Sequence, residues 1–127
     1  MQRRMLRFIN GLDIRAHIDN GNLFDISWLA VPDRVAYFQL LHVYRIHKDL
    51  APSYLRPSFV PLTSVHSHAT RGSELNFQIS RDLSKSQSGF AFSAIKQWND
   101  LPISVKDVSS LGAFKKKLKS FFLSRYT

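Results

Sequence analysis

The sequence predicts a mainly α-helical single domain spanning residues 1–127, a small helical array with a minor β element, and three patterns predict it. Two stretches near the C-terminus repeat apolar residues with the helical period: Ala91, Ala94, Ile95 and Trp98 at i, i+3, i+4 and i+7, then Leu111, Phe114, Leu118, Phe121 and Phe122. A third stretch, from about Pro32 to Asp49, carries Ala36, Leu40, Val43, Tyr44 and His47 on one face, flanked by Phe38 and Ile46. So narrow a polar stripe marks a helix buried on more than one side. Only Leu75, Phe77 and Ile79 alternate with polar Asn76 and Gln78, the period of two that suits a short strand or hairpin near 75–79.

In chain order, Met5, Phe8, Ile9 and Leu12 share one face of a short amphipathic helix, Arg3 and Arg7 lie on another, and Gly11 is placed to stop it. Residues Asp13 to Asn22 read as a polar connection, after which Leu23, Phe24, Ile26, Trp28 and Leu29 crowd together and nominate Trp28 as a second core anchor. Pro32 suits the first turn of the central helix, where its missing N–H would be unpaired anyway, and Asp33 sits well at the positive end of the helix dipole. Pro52 should stop that helix, and Pro52, Pro57 and Pro61 should impose an extended, irregular path. Leu83 to Gly89 is polar and Ser-rich and reads as a loop. Pro102 ends the helix of Trp98, because the residue before a proline is pushed out of the α region. The expected core anchors are Trp28, Leu40, Tyr44, Ile95, Trp98, Leu101, Phe114 and Leu118.

Eighteen Lys and Arg stand against nine Asp and Glu, a net charge of +9 that points to a polyanionic partner. The excess is clustered: Met1 to Asn10 holds three Arg and no acid, and Leu111 to Thr127 holds four Lys and one Arg and no acid. The absence of cysteine excludes disulfides and thiolate metal sites. No apolar run approaches the roughly 20 residues needed to cross a bilayer, so no membrane partner is expected, and the chain is placed inside the cell, in nucleus or cytoplasm.

Trp98-Asn99-Asp100-Leu101-Pro102, a spacer, and then Ser110-Leu111 with Phe114-Lys115 and Leu118-Lys119 form a specific combination. It resembles the C-terminal tail of non-LTR (LINE-type) retrotransposon reverse transcriptases, beyond the polymerase thumb. Trp28-Leu29-Ala30-Val31, Arg34-Val35, Leu50-Ala51-Pro52-Ser53-Tyr54-Leu55 and His68-Ala69-Thr70-Arg71 resemble the same tail in the same order, so the likeness covers nearly the whole chain. In that family the N-terminal stretch closes a longer helix, which implies a fragment beginning after the polymerase core.

Polymerase and nuclease chemistry need a carboxylate cluster to hold divalent ions. The acids here are scattered singly with no Asp-Asp pair, so the family's polymerase site is not carried over and no catalytic residue is expected. His66 and His68 lack further ligands, His42 and His47 are five apart rather than four, and no Gly-rich phosphate loop occurs, so neither metal nor cofactor is expected. Arg71 reads as part of a turn, paired with a carboxylate or a phosphate. The candidate contacts to RNA or DNA are Arg3, Arg4, Arg7, Arg71, Lys96, Lys115, Lys116, Lys117 and Lys119, which would grip phosphates as charges and read no bases. Trp28 and Trp98 have the chemistry to stack on bases, but their helical settings favour the core. The rival reading is a protein-interaction module or decayed transposon fragment, joined to a reverse transcriptase core or to its own copy through the apolar N-terminal face.

Overall fold

The computed structural model describes residues 1–65, 74–79, 85 and 89–126. Six α-helices are described: α1 (Gln2–Ile9), α2 (Asn20–Asp25), α3 (Val31–His47), α4 (Phe90–Asp100), α5 (Ile103–Lys106) and α6 (Leu111–Ser124). Both α4 and α6 pack on α3, and α5 packs on α6. Among the described residues, no helix is long and apolar enough to cross a membrane.

The centre is aromatic. The Tyr44 ring on α3 stacks on Phe114 of α6, 4.3 Å between centroids and 13° between planes, and its hydroxyl donates to the Val108 carbonyl at 3.0 Å. Trp98 of α4, with no exposed surface, lies 5.7 Å from Phe114. Leu40, Tyr44, Ile95, Trp98, Leu101, Phe114 and Leu118 all belong to this cluster, as their spacing predicts. Trp28 does not. It is half-buried against a separate small cluster of Leu6, Ile18 and Leu23. The reason is local: α2 ends with Ser27 in the left-handed region at φ 54°, and the Trp28 N–H then bonds back to the Leu23 carbonyl at 2.9 Å, holding the indole beside its own helix.

Helices α1 and α3 end with the same pair of backbone bonds, through Gly11 at φ 61° and Asp49 at φ 59°. Of the three, only α1 uses the residue that adopts this conformation without a Cβ penalty. Asp49 also forms an ion pair with Arg56.

Four sequence expectations change. Helix α2 occupies part of the supposed polar connection because Asp19 caps it: its carboxylate accepts from the Asn22 N–H, and the Asn22 side chain accepts from the Asp19 N–H, both at 3.1 Å. The proline-rich stretch coils instead into two 3-10 helices, Ser53–Ser58 and Leu62–Ser64. The spacer after Pro102 holds α5. Finally, 75–79 forms no strand, only an isolated antiparallel bridge between Phe77 and Pro61. Two backbone bonds flank the bridge, from the Leu62 N–H to the Asn76 carbonyl and from the Gln78 N–H to the Val60 carbonyl, and the other edge of Phe77 is taken by a side chain: Asn99 accepts from the Phe77 N–H at 3.0 Å and donates to its carbonyl at 2.9 Å.

Two neighbours complete this clasp. Trp98 Nε1 donates to the Leu75 carbonyl at 2.6 Å, and Lys106 Nζ donates to Asn76 Oδ1 at 2.6 Å. Lys106 is only 2% exposed, and burial pushes its ammonium below the usual lysine range, with Asp100 opposing. The expected loop at 83–89 lies outside the described residues except for Gly89, which precedes α4, and Lys85, which is helical rather than loop.

Candidate nucleic-acid interface

Ser110 starts α6, its Oγ accepting from the Ala113 N–H at 3.2 Å, and Phe114, Leu118 and Phe122 repeat every four residues into the core. That phase decides where the lysines go. At about 100° per residue, Lys116 points away from the core, Lys117 lies on one flank, and Lys115 and Lys119 lie on the other. All four are exposed. The row therefore wraps the outer surface of the helix and serves two depressions instead of one face.

On the first flank, Lys116 and Lys117 line a groove of about 440 Å³ with Ser104, Val105 and Ser120, and Lys117 Nζ donates to the Ser104 carbonyl at 3.0 Å. On the second, Lys119 lines a cleft of about 250 Å³ with Trp28, Leu29, Arg34, Tyr37 and Phe38. There the Arg34 guanidinium lies 5.7 Å from the Phe38 ring centroid, and the Tyr37 and Phe38 rings meet edge-on at 5.5 Å. Burial raises the Tyr37 phenol above its ordinary pKa. None of the described residues lining these two depressions is acidic. A third cleft contains Asp33 and Asp100 beside Arg125, a mixture that suits a polyanion poorly.

The other candidate residues are dispersed. Arg3 and Arg4 are exposed on α1, where Arg3 lines a separate depression that includes Asp19, and Lys96 is exposed on α4. Arg7 is half-buried and holds the fold, its Nε donating to the Ala16 carbonyl at 2.9 Å. Arg71, His66 and His68 lie outside the described residues. Sequence reasoning missed Arg34, Tyr37 and Phe38 as site residues; the available signal was the placing of Phe38 beside the polar stripe of α3, while the cleft they share with Trp28 forms only through the fold.

Among the described residues, no three of His, Asp and Glu come together closely enough to share a metal ion. His47 is instead a packing group, edge-on to Phe77 at 5.9 Å and beside Trp98 at 6.0 Å. Burial lowers its pKa, Lys48 adds to the effect, and Asp49 opposes it. Comparisons of the chain with protein-family models, with curated proteins and with solved structures find no match in any of the three.

Proposed function

We propose that the chain is a non-catalytic module that holds RNA or DNA through sequence-independent phosphate contacts, as the tail following the polymerase of a non-LTR reverse transcriptase would. The supporting observation is the α6 row: Lys115, Lys116 and Lys119 are exposed, and among the described residues none is paired with a carboxylate. Such a row meets phosphates as point charges and gives affinity without base recognition. On this reading the chain works in the nucleus or cytoplasm beside a polymerase core.

The test replaces Lys115, Lys116 and Lys119 by Gln, which has nearly the same helix propensity. The logarithm of the binding constant for duplex DNA should fall linearly with the logarithm of salt concentration, and the variant should lose about 2–3 units of slope at roughly 0.9 per phosphate contact. Unfolding stability should stay the same, since all three side chains stand in solvent. Unchanged affinity and slope would refute the proposal.

One observation favours the rival reading. Met5, Phe8 and Ile9 lie exposed along α1, Phe8 by 89%, with Ile14 exposed just beyond. If this stripe seats a second copy, sedimentation of the native chain should depend on concentration, and Phe8→Asp should abolish the dependence.

A further inference from the structure

Trp28, Tyr37 and Phe38 bring three aromatic rings to a single shallow cleft that Arg34 and Lys119 also line. An isolated exposed aromatic is ordinary on a protein surface. Here Phe38 is 48% exposed and Trp28 is half-buried, both in one concavity, with two cations beside them and no acid among the described lining residues. An apolar ligand would gain nothing from the cations, and a cationic one would be repelled. Rings with phosphate-binding charges are what single-strand binders offer, because every base has a face that stacks and every nucleotide brings an anion.

Size narrows the ligand further. At about 250 Å³ the cleft is smaller than the roughly 300–1,000 Å³ of sites that enclose whole ligands, so it suits one flat ring at a time. Lys119 lies one helical turn from Lys115 on the same flank of α6, so a strand held on the lysine row runs directly to the cleft. We infer that this cleft receives an unpaired base of a single-stranded nucleic acid, stacked against Trp28 and Phe38, with Arg34 and Lys119 on the adjoining phosphates. The inference rests on the phosphate-binding reading and adds to it a preference for unpaired strands, since duplex bases are already stacked on one another.

The experiment compares three probes at low salt: oligo(dT), an abasic strand of equal length, and a duplex. The chain has two tryptophans, and Trp98 is fully buried, so quenching of indole emission by a bound strand reports Trp28. Oligo(dT) should quench and the abasic strand should not. Phe38→Ala should weaken oligo(dT) binding roughly tenfold, the scale of one lost stacking partner, and leave abasic and duplex binding unchanged. Trp28→Phe keeps a ring in the small cluster and should remove the quenching while retaining the binding. Equal affinity of the native chain for oligo(dT) and the abasic strand, or unchanged oligo(dT) binding by Phe38→Ala, overturns the base site and leaves the phosphate reading standing. Failure of the native chain to bind any of the three overturns both.

Discussion

Removing the Asn99 side chain tests how the segment 75–78 is attached to α4. Phe77 is 3% exposed, and its N–H and C=O both bond to Asn99. Its neighbours bond the other way: the Asn76 carbonyl accepts from the Leu62 N–H and the Gln78 N–H donates to the Val60 carbonyl. Asn99 thus stands in for the missing third strand. Asn99→Ala deletes two hydrogen bonds and leaves two buried backbone groups unpaired, at about 1–3 kcal/mol for each group. Partial hydration of the loosened segment lowers the total to about 2–4 kcal/mol. Asn99→Asp is a sharper probe, because a carboxylate still accepts from the Phe77 N–H but opposes its carbonyl. That raises the folded pKa of the introduced carboxyl above the unfolded value of about 3.9. Its protonated form can donate again, so the variant should approach the native protein in stability below about pH 4 and fall behind as pH rises through the raised pKa. Urea unfolding followed by the helical circular-dichroism signal, read as the difference from the native chain at each pH, measures both. A cost within about 0.5 kcal/mol for Asn99→Ala, the range of surface substitutions, would refute the clasp.

Trp98→Ala should cost about 3–5 kcal/mol in the same assay, as truncation of a buried aromatic does, and it also frees the Leu75 carbonyl. Ser27→Gly should stabilise the chain by about 0.5–1 kcal/mol, because the left-handed conformation strains a residue with a Cβ while glycine's gain is offset by its freer unfolded state; a loss of stability would mean the serine hydroxyl matters more than the backbone. His47 has a folded pKa lowered from 6.5, so unfolding takes up a proton below that value and stability should fall as pH drops from about 6.5 through the lowered pKa. His47→Phe should flatten that slope, and an unchanged pH profile in the variant would refute the assignment.

Periodicity located α3, α4 and α6 because each buries a full stripe in the main core, where Leu40, Trp98 and Phe114 meet. At 75–79 the alternation marked the right residues but not their extent, since a single antiparallel bridge from Phe77 to Pro61 forms in place of a strand. Leu75 is half-buried, Phe77 is buried and Ile79 is exposed, so the residues have the conformation of a strand without a sheet. The clasp that holds them was invisible because Asn99 and Lys106 lie twenty or more residues away, and a lysine in sequence reads as surface. Lys106 is buried because Asn76 meets its ammonium, a pairing that no local window contains.

The site was legible in charge and illegible in geometry. The α6 lysines follow from the phase of Phe114, Leu118 and Phe122, since whatever alternates with a buried stripe must face out. The same logic misplaced Trp28, because crowding of apolar residues says that a core is near but not which one. Helix α1 shows why. Its period marks Met5, Phe8 and Ile9, yet Leu6 is the residue buried, at 1% exposure. Hydrogen bonds from polar neighbours choose that face: the Gln2 amide donates to the Leu29 carbonyl at 2.7 Å and Arg7 to Ala16. Gln2 and Leu6 are one turn apart, so seating one seats the other. That docking places α1 against the cluster of Leu23 and Ile18, against which Trp28 packs with part of its surface still in solvent. Two polar contacts to backbone thus turn an amphipathic helix away from its own apolar stripe, and the small cluster they complete supports Trp28 at the edge of the basic cleft.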